Sequence, residues 1–179
     1  MSSDETISSS TTPPPETSGD VLAALRRLAD SLRDLHRKDD TQQQPTHWRE
    51  LPPGVVEGYR LLSDGAELVK ATATKFTLLN KVEPSEGLKL LSHDLLGGVR
   101  VVATGAVVLD GILTPRSSRH STRAARAIVG GVVALIECFD ASQNSNLSAQ
   151  KTGAVWSACD AKLEYLCVLS HSHSILDTI

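Results

Sequence analysis

Apolar residues recur at steps of three and four through Leu88, Leu91, Leu95, Val99, Val102, Ala106, Leu109 and Leu113, which is one face of a helix. A second apolar set, Leu90, Leu96, Val101, Val108 and Ile112, fills the flanks. Only Lys89, His93, Arg100 and Thr104 remain as a narrow polar stripe, again at helical spacing. A helix apolar over most of its circumference needs neighbours on several sides. The stretch 88–113 therefore predicts the central and most buried helix of a bundle. Ser85 and Glu86 open it after Pro84, and it stops near Gly111 to Pro115.

Four further helices are predicted around it. The first carries Val21, Leu22, Leu25, Leu28, Ala29, Leu32 and Leu35, is capped by Ser18 or Asp20, and ends near Lys38. Its opposite face, with Arg26, Arg27, Asp30, Arg33, Asp34 and Arg37, reads as an ordinary solvated face of mixed sign. The second starts at Val55, after a short possible turn around Trp48 that Pro52 and Pro53 stop. Its heptad-like seam runs Val55, Tyr59, Leu62, Ala66, Val69, Ala73, Phe76. The fourth begins at Pro115 and buries Ile128, Val132, Leu135 and Phe139. The fifth follows a loop at 140–146 and turns Val155, Trp156, Cys159, Leu163 and Leu166 inward. No strand-type alternation competes, so the fold class is all-α: an antiparallel bundle of about five helices in residues 19–169. Residues 1–18, made largely of Ser, Thr, Pro and acid, cannot offset chain entropy and are expected to be disordered. Residues 170–179, with their Ser-His alternation, are expected to be a tail that frays from the fifth helix.

Glycines inside helices each cost about 1 kcal/mol against Ala. Gly97, Gly98, Gly105, Gly130 and Gly131 together argue for close backbone approach between the third and fourth helices. A ligand cleft there would need convergent polar groups, and none accompanies them.

Composition adds little beyond this. Aromatic residues make up 3% of the chain, so the core is aliphatic. The net charge of -3 demands neither nucleic acid nor membrane. The charge-free apolar runs between Arg100 and Asp110 and between Arg126 and Glu137 fall short of the roughly 20 residues of a membrane span. Three cysteines, an odd number with no CxxC pair, read as reduced core thiols of cytosol or nucleus.

The chemistry-bearing residues point away from catalysis. His93 and Asp94 are adjacent on a helix and project about 100° apart, so they form no dyad. His171, His173 and Asp177 lack a recognised metal spacing. The glycine pairs lack the strand and Lys-Ser/Thr context of a phosphate loop. We read no catalytic residue, cofactor site or metal site. One feature stands out: Arg116, Arg119, Arg123 and Arg126, spaced three, four and three, with no acid between Asp110 and Glu137. Cations near a helix N-terminus oppose the macrodipole. The stripe is either a site for an anionic partner (acidic peptide, phosphate or nucleic acid) or a solvated face neutralised by Asp110 or the acidic N-terminal residues.

Several segments resemble a known family. They are the amphipathic Leu/Arg helix from Leu25 to Leu35, the segment His47-Trp48-Arg49-Glu50-Leu51, the Arg-rich start of the fourth helix at Thr122-Arg123-Ala124-Ala125-Arg126, and Val155-Trp156-Ser157-Ala158-Cys159. Over roughly residues 20–166 the chain is similar to the N-terminal domain of the cyclin-D-interacting protein family. The resemblance implies a helical bundle of the vinculin and talin kind and a non-enzymatic protein-interaction module. Its implied partners are cyclin-like or helix-loop-helix-like regulators, in control of cell-cycle progression or transcription, in cytoplasm and nucleus. The alternative is a structural adaptor that binds partner helices. Pro52-Pro53-Gly54 departs from the family pattern, and family members continue past the Val-Trp block into a second helical domain, so residues after about 169 are expected not to be a family element.

Overall fold

The computed structural model describes residues 17–35, 52–141 and 145–176, and within these the side chains of 115, 116, 145 and 162–176 are excepted. The N-terminal residues 1–16 and the segment around Trp48 lie outside the described residues. The described chain is an all-α bundle. Its helices are α1 (Ser18–Asp34), α2 (Pro53–Val82), α3 (Pro84–Ile112), α4 (Pro115–Ala141) and α5 (Ser145–Leu176).

Helix starts follow local chemistry. α1 opens on a capping box: Asp20 donates its backbone N–H to Thr17 Oγ1 at 3.2 Å, and Thr17 donates its own N–H to the Asp20 carboxylate at 3.2 Å. The cap is thus Thr17 rather than Ser18 or Asp20, and the helix starts at Ser18 and ends at Asp34, short of Lys38. Pro53, Pro84 and Pro115 each take the first helical position, where a missing N–H costs nothing.

α2 to α5 form a ring of antiparallel neighbours, α2 on α3, α3 on α4, α4 on α5 and α5 back on α2. α1 lies across the outer face of α3 and α4. α3 is therefore a stave of the ring rather than its axis, and α1 supplies the third neighbour that its apolar circumference requires. The predicted buried face is seen from Leu91 to Leu113, with Leu88 half-buried at its start. Lys89, His93, Arg100 and Thr104 are all exposed. Within α3, Leu91–Leu95 is a π turn. The steps from Leu91 to Leu95 to Val99 are both fours, so a turn wider than the usual 3.6 residues keeps all three on the buried face.

The close approach lies elsewhere than expected. A Cβ on Gly105 would sit 2.8 Å from the Gly58 carbonyl oxygen and 2.8 Å from the Leu62 nitrogen. A Cβ on Gly65 would sit 2.8 Å from the Val102 nitrogen and 3.2 Å from the Gly98 oxygen. The glycine contact is thus between α2 and α3, through Gly58 and Gly65 on one helix and Gly98 and Gly105 on the other. Gly97 and Gly130 face open space, and only Gly131 approaches the next helix, at Val155 of α5.

α5 also departs from expectation. It continues to Leu176, past residue 169 into the expected tail, because no Pro or Gly follows Gly153 to interrupt the ladder. Its inward face at the α2 contact is Ser148, Thr152, Val155 and Cys159. Trp156, expected inside, is 41% exposed and donates its indole N–H to Thr74 Oγ1 at 3.1 Å. One helical residue from Val155 is about 100° of rotation, enough to carry the ring to the rim. Leu163 and Leu166 lie outside the described side chains.

By length and composition Pro84–Ile112 is long and apolar enough to cross a membrane, because its few charges do not exceed what such a span tolerates. Half of its most apolar window is buried against the other helices, as a core helix requires.

Candidate functional site

The α1–α4 seam changes character along its length. At one end Ser18 Oγ donates to the Asp140 carboxylate at 3.2 Å, and Arg26 pairs with Glu137 at 2.7 Å. These contacts set the antiparallel register of the two helices. One helical turn after another toward the other end, α4 offers no further acid, since none occurs between Asp110 and Glu137. There the seam opens into a groove lined by Ala29 and Arg33 of α1 and by Arg119, Arg123, Arg126, Ala127 and Gly130 of α4.

Three of the four arginines expected to act together, Arg119, Arg123 and Arg126, are thus brought to one groove, all exposed. Arg116 lies in the first turn of α4, and its side chain is outside the described residues. The inner face of the same stretch is buried through Ser118, Ser121, Thr122 and Ala125, which fixes the arginines outward by helical periodicity. Arg33 joins them from α1. On the sequence it belonged to a face of mixed sign, and only its position in the last turn of a helix packed antiparallel on α4 marks it out. Arg33 pairs with Asp30 at 2.7 Å across three residues of its own helix. Among the described residues no ion pair joins Arg123 or Arg126 to an acid.

The floor is made of the smallest side chains, Ala29, Ala127 and Gly130. A Cβ on Gly130 would meet nothing within 4 Å. Among its described lining residues the groove therefore offers guanidinium donors and small side chains, and no nucleophile, acid-base pair or metal ligand.

The other residues weighed for chemistry are dispersed. His93 and Asp94 are exposed on the π turn. Cys138 and Cys159 are buried free thiols on different helices. His171 and His173 lie outside the described side chains. Among the described residues no group of three His, Cys, Asp or Glu side chains is placed to hold a metal ion.

A separate polar contact ties α2 to α5. The Thr77 and Thr152 hydroxyls are 2.6 Å apart and buried, and each also lies within hydrogen-bond distance of its own helix, at Ala73 O and Ser148 O. Two protons serve three contacts, so at any instant one hydroxyl donates across and the other donates back. Beside it on the surface, Lys70 pairs with Asp160 at 2.6 Å, which raises the ammonium pKa above its ordinary value, mainly through that hydrogen bond.

Comparison with protein-family models, curated proteins and solved structures returned no match. The fold defines an all-α helical bundle.

Proposed function

We propose that this chain is a non-enzymatic protein-interaction module. It acts, as its resemblance to the cyclin-D-interacting family implies, as a regulator of cell-cycle progression or transcription in cytoplasm and nucleus. The observation that carries the reading is the groove itself. Exposed Arg119, Arg123 and Arg126 converge with Arg33 from another helix over a floor of small residues. Arginine on a protein surface suits recognition because its planar fork binds carboxylates in two-point contacts. The buried residues of the same helix hold those forks without needing them for the core, so their substitution separates binding from folding.

The test is affinity capture from cell extract with the intact chain and with the Arg119→Glu/Arg123→Glu variant, read by mass spectrometry. Capture of D-type cyclins or helix-loop-helix proteins, diminished by the variant and by salt, supports the reading. Capture of actin-linked proteins instead places the chain with structural adaptors. Absence of any specific protein, with the chain shown to be folded, overturns the interaction reading.

A further inference from the structure

We infer that the groove between α1 and α4 accepts an acidic α-helix of a partner protein, laid against Ala29, Ala127 and Gly130 with its carboxylates on Arg33, Arg119, Arg123 and Arg126. This deepens the interaction-module reading and rests on it.

Three observations select a helix. The first is spacing. Arg119, Arg123 and Arg126 rise along one face at steps of four and three, over about 10 Å of axis at about 1.5 Å per residue. Carboxylates on one face of another helix recur at those same steps, so two such helices lying side by side keep pairing in register. The second is the floor. Two alanines and a glycine with open space above it let a third helix approach between α1 and α4. A groove between two helices is the usual seat of a helix docked in this way. The third is charge. Arg33 is held by the Asp30 carboxylate. Arg123 and Arg126, which line the groove, carry no ion pair among the described residues, and these two charges call for an acidic occupant. A nucleic-acid duplex would need a wider positive field, and the chain as a whole carries a net charge of -3.

The groove is built so that charge and shape can be tested apart. Arg123→Glu/Arg126→Glu reverses charge and leaves the floor intact. Gly130→Leu keeps every arginine and fills the floor, and the open space above Gly130 predicts that the fold tolerates it.

The probe is an alanine-based helical peptide of about 20 residues, long enough to hold a helix, with Glu repeated at three- and four-residue steps. Binding to the full chain is read by fluorescence anisotropy and by chemical-shift changes. Controls are the same peptide with Gln for Glu, an acidic peptide of equal charge broken by proline, and a DNA duplex. We expect the acidic helix to bind best, with perturbed resonances at α1 and α4. Both variants should weaken it at least tenfold while melting no lower than the parent. Raising ionic strength from about 0.1 to about 1 M shortens the Debye length from about 10 to about 3 Å and should weaken it likewise. Should Gly130→Leu fail to fold, the charge-reversal variant decides alone. The inference is overturned if no acidic helix binds, if neither variant changes affinity, or if the broken peptide or the duplex binds as well as the helix. If partners are still captured from extract independently of these arginines, the groove inference falls and the interaction-module reading stands.

Discussion

Replacing Gly105 by Ala tests the α2–α3 seam directly. On an isolated helix the change is favourable by about 1 kcal/mol, since Gly is a poor helix former. In the bundle the added Cβ would stand 2.8 Å from the Gly58 oxygen and 2.8 Å from the Leu62 nitrogen. Both are backbone atoms, so no rotamer change relieves the contact. The helices must separate by roughly half an ångström or more to reach ordinary van der Waals distance. Leu62, Val102, Ala106 and Leu109, all fully buried at this seam, lose contact as they do. Overpacking of this kind costs about 1–3 kcal/mol, which outweighs the propensity gain over most of that range. We expect a net destabilisation of up to about 2 kcal/mol, or a fall in melting temperature of a few degrees at about 2–4 °C per kcal/mol. Gly97→Ala, one residue from Gly98 of the seam but with open space at its Cβ position, should go the other way by up to about 1 kcal/mol. Paired urea and thermal melts of the two variants read the difference. If Gly105→Ala is as stable as Gly97→Ala, the glycine seam is not where the two helices meet.

Other outcomes follow from single positions. Val102 is fully buried in α3, so Val102→Asp places an uncompensated charge in the core and should cost more than about 4 kcal/mol, with loss of cooperative melting; a variant that melts like the parent refutes the placement of α3. Among the described residues Thr122 holds the one buried hydroxyl without a hydrogen-bond partner. Thr122→Val should therefore stabilise by about 1 kcal/mol, and a lower urea midpoint would show that the hydroxyl is satisfied. The Arg60 guanidinium, hydrogen-bonded to Glu57, holds that carboxyl below its ordinary pKa of 4.5. The pair thus contributes stability above about pH 4.5 and loses it as pH falls through the lower folded-state value. Both groups are on the surface, so the contribution is small. Glu57→Gln should leave melting at neutral pH almost unchanged and flatten its acid-side decline slightly, and a steeper decline would contradict the pairing.

The sequence alone determined the helices, because periodicity and prolines act within a few residues of chain. Every residue from Leu91 to Leu113 on the predicted face of α3 is buried, and Pro115 stands at the first helical position expected of it, whereas Pro53 and Pro84, expected to precede their helices, open them. Local chemistry also outweighed pattern at α5, where an irregular Ser-His stretch without Pro or Gly remains helical to Leu176. Which helices touch was a different matter. Gly98 and Gly105 could have served any neighbour. Their partners, Gly58 and Gly65, carry the same seven-residue spacing, yet that match acquires meaning only when α2 and α3 lie antiparallel in one register. The candidate site divides the same way. Arg119, Arg123 and Arg126 were legible as a stripe, because helical periodicity places them on one face whatever lies beside it. Arg33 was not, since nothing between residues 33 and 119 encodes that distance in space. Tertiary packing alone brought α1 onto α4, with the Arg26–Glu137 pair at one end and the arginines at the other. A stripe belongs to one helix and can be read from it, whereas a groove belongs to two and exists only once the chain has folded.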